Sequence, residues 1–267
     1  MSIQGGAQRE PEAPSGRGVL AKSRRLESPY TTARLLYGLK GFYTLKELEE
    51  MLGVPAQAIW RYTNFVQIPE KVNAQKILSR IMEEKLLKKV FKKVIVQGLG
   101  GLAEPWRVLY DRHFHELIGY MALQEEWRGE VNIVLAGSPE ESALASSLAS
   151  WLRSRVAIAS REPWLSQMQP LHAVYQSPDR RSFITLYMPR GAIKKGECIL
   201  LVKAVAKDWA ALPALLHMVE SCQASVCGAL VVASLSKEWK NRALRYGIGP
   251  LLVIRDLEKS KSSENKE

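Results

Sequence analysis

The chain has 267 residues, 46% of them hydrophobic and 24% charged, enough sequence for one large domain or two modest ones with a sizeable core. No apolar run approaches the roughly 18–20 residues needed to span a bilayer: Gly228–Leu235 is strand-sized, and 199–216 is interrupted by Lys203, Lys207 and Asp208. A membrane-spanning protein is therefore not expected, and the opening MSIQGGAQREPEAPSGRG lacks the apolar stretch of a signal peptide. The three cysteines, Cys198, Cys222 and Cys227, have neither C-x-x-C spacing nor a neighbouring pair of histidines. That pattern argues against a disulfide framework and against a metal site, and it suits a reducing cytoplasm. The net charge of +11 is uneven: residues 1–93 carry 17 Lys+Arg against 9 Asp+Glu, and residues 94–267 carry 21 against 18. A basic segment joined to a nearly balanced one is the footprint of a chain whose first part meets a polyanion.

Residues 1–27 are rich in Gly, Pro, Ser, Arg and Glu without apolar periodicity and read as a flexible basic arm. From 28 to 93 the pattern is helical. A first helix is expected over Tyr30–Leu39, with Ala33, Leu36, Tyr37 and Leu39 on one side and Gly41 at its end. A second opens at Thr44, with Glu47 three places on in the capping-box arrangement, and buries Leu45, Leu48 and Leu52. Gly53 supplies a sharp turn, Val54 plugs the core, and Pro55 suits the first turn of a third helix running to about Thr63. Pro69 restarts the chain for one longer helix through Val72, Ile77, Ile81 and Leu86.

Residues 94–127 read as a glycine-containing linker (Gly98, Gly100, Gly101) and a connecting helix from Glu104 to Glu126. His113 and His115 flank Phe114 on that helix and are read as surface or packing residues; His172 and His217 have no recognisable partners. Beyond residue 128 the period changes. VNIVLAG at 131–137 and RVAIAS at 155–160 read as buried strands around a helix over Glu140–Arg153. Further strands are expected at Ser182–Tyr187, Cys198–Val202, Ala229–Ala233 and Leu251–Ile254, with helices at Trp209–Ser221 and Glu238–Tyr246. Strands alternating with helices imply a parallel α/β sheet covered on both faces, ahead of a charged tail at 259–267.

The segment YTLKELEEMLGVPAQAIWRY, with the RYTNFVQIPEKVNAQKIL that follows, resembles the lambda-repressor-like class of helix-turn-helix proteins over roughly Tyr30–Ile81. The resemblance implies that the helix after the turn enters a major groove with its N-terminal half. It points Ala56, Gln57, Trp60 and Arg61 outward, while Leu52, Val54 and Ile59 face inward. Gln57 suits adenine N6/N7 and Arg61 suits guanine O6/N7 or a phosphate, each base contact being worth about 1–3 kcal/mol of discrimination. Trp60 is the least ordinary of the four, because a large ring more often packs into a core. Thr44, Lys46 and Asn64, with Lys40 and Lys71, are the candidates for phosphate contacts.

From Val131 onward the order of elements resembles a type I phosphoribosyltransferase domain, including the archaeal regulators that join one to a helix-turn-helix. VNIVLAGSPEESALASSLASWLRSRVAIASREP matches the family's first strand, pyrophosphate loop and helix in layout, and LYMPRGAIKKGECILLVKAVAKDWAALPALLHMVESCQASVCGALVVASL matches the segment around its phosphoribosyl-diphosphate signature. The departures are specific. Lys203 and Ala204 stand where the family has two adjacent acids, and Lys207, Asp208, Trp209, Ala210 and Ala211 replace its Thr/Gly-rich phosphate cradle. A lysine cannot recruit magnesium as a carboxylate does, and Trp209 is expected to obstruct close approach of a phosphate to the backbone.

The resulting expectation is an N-terminal all-α helix-turn-helix domain (28–93), a linker and connecting helix (94–127) and a parallel-sheet α/β phosphoribosyltransferase-like domain (128–258). It would act as a DNA-binding transcriptional regulator with no catalytic residues, cofactor or metal. Double-stranded DNA is the expected partner, and the second domain is expected to form a homodimer. An anionic, nucleotide-related effector is a further candidate partner, at Ser138, Glu140, Ser142, Lys203, Lys207 and Asp208, beside a helix N-terminus that favours anions. Two rivals stay open: an active nucleobase phosphoribosyltransferase with a regulatory head, and a protein-binding adaptor.

Overall fold

The computed structural model describes residues 25–98, 101–102, 105–163 and 170–258; the tail at 259–267, most of the N-terminal arm, Gly100 and Glu104 lie outside the described residues. Five helices open the described chain: α1 (Pro29–Lys40), α2 (Leu45–Leu52), α3 (Ala56–Thr63), α4 (Lys71–Glu83) and α5 (Leu86–Val94). Ser28 caps α1, its hydroxyl accepting from Thr31 N at 3.1 Å. Thr44 and Glu47 form a reciprocal capping box on α2, and Gly53 ends that helix in the left-handed conformation (φ +66°), its N–H donating to Glu49 O at 2.9 Å. Pro55 is the N-cap of α3. The capping box and the Gly53 turn match the sequence expectation; Pro55 stands one place before the first turn expected to hold it, and the Ser28 cap goes beyond that expectation.

The single long helix expected after Pro69 is instead two. Lys85 is left-handed (φ 53°) and turns the chain between α4 and α5. The apolar spacing explains the break: Ile77 and Ile81 are four apart, but Leu86 follows five residues later, off the face that 3.6-residue periodicity would keep buried. The turn lets Ile77 and Ile81 and then Leu86, Leu87, Val90 and Phe91 all reach the core. Val72, expected on the apolar stripe, is 62% exposed.

A two-residue hairpin, β1 (Gln97–Gly98) with β2 (Gly101–Leu102), follows, then α6 (Pro105–Tyr110) and α7 (Arg112–Gln124). The one connecting helix expected here is broken at Asp111, whose carboxylate accepts from His113 N at 3.0 Å and Phe114 N at 3.3 Å and so starts α7 afresh. Both histidines pack as expected: His113 Nδ1 lies 2.9 Å from Tyr37 O, and buried His115 Nε2 lies 2.8 Å from Val108 O.

The α/β part is built from β3 (Ile133–Ala136), α8 (Ser142–Leu152), β4 (Arg155–Ile158), β5 (Pro170–Gln176), β6 (Phe183–Pro189), β7 (Cys198–Ala206), α9 (Leu212–Ser221), β8 (Ser225–Ser234), α10 (Glu238–Arg245) and β9 (Leu251–Asp256). Five strands form one parallel sheet in the order β4-β3-β7-β8-β9. Its side chains alternate between two cores, as strand geometry requires. Leu200, Val202, Leu230 and Val232 face a core shared with α1 to α8, while Ile199, Leu201, Ala229 and Val231 face α9, α10 and the β5-β6 hairpin.

Two expectations are corrected here. The strand at Ser182–Tyr187 does not join the parallel sheet; as β6 it pairs antiparallel with β5, which sequence reading missed. The turn makes the hairpin, with Asp179 Oδ1 accepting from Arg181 N at 3.1 Å and Ser177 Oγ from Ser182 N at 3.1 Å. Cys198 and Cys227 form a disulfide, against the expectation from cysteine count. The irregularity in β7-β8 pairing after Ile199 leaves Cys227 as the unpaired residue opposite the start of β7, with its Cα 5.5 Å from that of Cys198. Cys222 is free and half-buried. No helix among the described residues is long and apolar enough to cross a membrane.

Helices α7 and α8 meet at Gly119, where an added Cβ would lie 2.0 Å from Trp151 Cδ1. Gly119→Ala is expected to cost about 1–3 kcal/mol through overpacking. Gly53→Ala meets no neighbour but must hold a left-handed backbone, at about 1–2 kcal/mol. Urea unfolding of both variants checks this; a neutral Gly119→Ala contradicts the close packing of α7 on α8.

Candidate functional site

Two regions carry the chemistry singled out by sequence. In the first, α2 and α3 are joined by the turn at 53–55, and α3 buries Ile59, Tyr62 and Thr63. Residues three and four apart share a helix face, so Gln57, Trp60 and Arg61, followed by Asn64 just past the C-terminus, form one exposed stripe, with Trp60 47% exposed. Ala56 is half-buried at its edge. Asn64 Nδ2 donates to Trp60 O at 2.8 Å and closes the end of α3, which leaves its carbonyl oxygen for other partners. Thr44 is engaged locally: its hydroxyl donates to Glu47 Oε2 at 2.9 Å and accepts from Glu47 N at 3.2 Å. The two hydrogen bonds from Thr44 hold the exposed Glu47 carboxyl below its ordinary pKa.

The positive charge is not where the sequence reading placed its emphasis. On α2, exposed Lys46 stands among exposed Glu47, Glu49 and Glu50. Lys71 is exposed and Lys40 half-buried, and the larger cationic group lies on α5, where Lys88, Lys89, Lys92 and Lys93 are all exposed.

The second region lies at the C-terminal ends of β3 and β7. These strands are neighbours, but β3 continues through α8 to β4 on one side and β7 through α9 to β8 on the other. In open α/β sheets a crevice forms where connections leave in opposite directions, and ligands bind at such points; the β3–β7 ends are that point in this sheet. On the β3 side stand Ser138, exposed Glu140, Glu141 and Ser142, the last opening α8. A hydrogen bond from the Ser138 side chain, helped by the Glu140 backbone N–H, holds the Glu140 carboxyl below its ordinary value. On the β7 side Lys203 and Ala204 occupy the strand and Lys207 and Asp208 the loop.

Glu141 is the residue that sequence reading missed. It is 2% exposed; its Oε1 accepts from Ala204 N at 2.9 Å and lies 3.0 Å from Lys203 Nζ, while its Oε2 is buried without a partner among the described residues. Lys203 is thus neutralised from within the protein. The signal was the acidic pair Glu140-Glu141 directly after Pro139, of which helix geometry buries one member. Lys207 remains exposed, and Asp208 Oδ1 accepts from Ala210 N at 2.9 Å, bracing the loop.

Trp209 is the residue expected to obstruct the approach of a phosphate. It adopts φ +45°, is buried, and packs its ring 5.9 Å from that of Trp239. The loop is held by its tryptophan, which is anchored in the core, and by the Asp208 brace on its turn.

Helix α1 packs on α3, and helix α8 leads from the end of β3 to α7 and α1. At its far end Trp151 Nε1 donates to Glu116 Oε2 at 2.9 Å. Arg34 of α1 donates to both oxygens of that carboxylate, at 2.8 and 3.0 Å, and lies 3.9 Å over the Trp151 ring. One largely buried cluster ties α1, α7 and α8 together.

Removing one partner from a buried pair strands the other charge. Lys203→Met is expected to destabilise the protein by about 3 kcal/mol, and adding Glu141→Gln to recover most of it; thermal unfolding of the single and double variants reads both, and an unchanged single variant contradicts the pairing.

No family model and no curated protein matches the sequence. Solved structures do resemble it. The adenine phosphoribosyltransferase of Rhodothermus marinus superposes with a TM-score of 0.54 at 20% identity, over 65% of this chain and 99% of that one. The corresponding enzyme of Thermoanaerobacter pseudethanolicus gives 0.52 at 15% identity, over 64% and 99%. That of Saccharomyces cerevisiae gives 0.51 at 12%, over 63% and 98%. The C-terminal part of this chain therefore has a phosphoribosyltransferase-like fold, a likeness of architecture preceded by a helical region.

Proposed function

We propose that this protein is a DNA-binding transcriptional regulator whose phosphoribosyltransferase-like part serves as a dimerisation unit and carries an altered ligand crevice. The observation behind the reading is the stripe Gln57, Trp60, Arg61 and Asn64, presented to solvent by a short helix whose opposite side is held in the core. Gln57 and Arg61 supply the donors and acceptors that read adenine and guanine edges in a major groove. The acids of α2 confine backbone contacts on that helix to Lys46, and Lys71 supports them from α4. A homodimer would place two such stripes on half-sites about one helical turn apart.

The crevice supports binding in preference to transfer. Lys203 and Ala204 stand in place of two acids, and the pairing of Lys203 with Glu141 leaves no adjacent free carboxylates on β7 to hold a magnesium ion. Lys207, with Ser138 and Ser142 at the start of α8, is the part of the crevice suited to an anionic effector. The Arg34–Glu116–Trp151 cluster offers a physical route from that crevice to α1.

Arg61→Ala and Gln57→Ala are each expected to weaken binding to a selected site by about 1–3 kcal/mol without altering the fold. Log affinity is expected to fall with log salt at a slope near −5 if about six phosphates are contacted. Fluorescence anisotropy with labelled duplexes over a salt series measures both, and equal affinity of wild type and variants removes the recognition-helix assignment. The fold favours one rival, an active nucleobase phosphoribosyltransferase. Incubation with adenine, phosphoribosyl diphosphate and magnesium is expected to yield no nucleotide, and clear turnover overturns the regulator-only reading.

A further inference from the structure

The lysines of α5 border a cleft that the DNA-binding reading does not use. A cavity of about 660 Å³ lies between the α4–α5 turn, α7 and the edge strand β9, within the range of small-molecule pockets. Its floor is apolar, formed by Leu87, Phe91, Met121 and Ile254, with Met82 at 40% exposure beside them. Its rim is cationic: Lys88 and Lys92 lie four apart on one face of α5, Lys85 comes from the turn before that helix, and Arg255 comes from β9.

None of these four cations has an acidic partner among the described residues. Lys89, which does, pairs with Glu84 at 3.2 Å and does not line the cavity. The acid at the rim, Asp256, is held by Lys240. Arg255 Nη1 makes a long bond to Phe91 O, 3.4 Å, and burial holds its pKa below the ordinary arginine value.

The geometry points to a binding site for an organic anion with an apolar body, seated with its hydrocarbon on Leu87, Phe91 and Met121 and its charged head among Lys85, Lys88, Lys92 and Arg255. Charge complementarity selects the class. A phosphate backbone would satisfy the rim but leave the apolar floor unused, and a neutral apolar molecule would leave four cations unpaired. The site is distinct from the β3–β7 crevice and independent of whether α3 reads DNA. It lies between the helices of the N-terminal region and the edge of the sheet, so its occupant would touch both.

Calorimetric titration of the full chain with dodecanoate, below its micelle concentration, tests the assignment. Saturable binding of one dodecanoate per chain is expected, with no binding of dodecan-1-ol or inorganic phosphate. Lys88→Glu and Met82→Asp, both at solvent-exposed positions, are each expected to weaken it about tenfold or more, while Lys195→Glu, on an exposed loop outside the cavity, leaves it unchanged. Absence of dodecanoate binding, equal affinity in both cleft variants, or competition by inorganic phosphate overturns the proposal. So does a result in which Lys88→Glu weakens duplex DNA binding but not dodecanoate binding, which would assign these lysines to nucleic acid.

Discussion

The approach of α7 to α8 at Gly119 and Trp151 sets where the helical region stands on the sheet. With no side chain at 119, the Trp151 ring lies against the α7 backbone, and its indole N–H reaches the Glu116 carboxylate one turn away. Arg34 from α1 then completes the cluster. Such a buried pair contributes little net stability, but losing one partner costs about 3–5 kcal/mol, so the arrangement specifies orientation more than it adds strength. Around it the apolar core runs without interruption from Leu35 in α1 to Leu257 beyond β9.

That continuity matters for function. The helical region is not on a free linker: α1 is clamped to α7, and α7 to the helix that begins at the end of β3. Coupling between sites needs an element that both can bias; α8 starts at the β3 end, and α1 packs on both α7 and α3. Lys203 and Ala204 stand on β7, and the protein supplies the lysine's counter-charge itself in Glu141.

Local rules made much of this legible in the sequence. Thr44 with Glu47, Gly53 and Pro55 marked the ends of α2 and α3, and buried apolar runs marked all five parallel strands, with β7 and β8 longer than expected, because caps, turns and strand runs depend on near neighbours in sequence. The Asp111 cap that splits α6 from α7 was a local signal left unread; the other misses depend on packing. The break at Lys85 follows from two apolar stripes needing the same core, β5 is recognisable only beside β6, and Cys198 meets Cys227 only through the β7–β8 pairing. For the candidate sites, residue type and face were readable on α3, whereas the burial of Glu141 and its claim on Lys203 depend on the packing of two strands sixty residues apart. The net positive charge was read correctly as a sum, but the fold concentrates much of it on α5 around an apolar cleft instead of on the α3 face.

The central claim is that the face of α3 selects DNA sequence. Crosslinking the protein to genomic DNA in cells, then sequencing the recovered fragments for wild type and for Arg61→Ala, tests it most directly. The account predicts a recurrent two-fold-related motif for the wild type and its loss in the variant; random fragments, or none, from the wild type would contradict it.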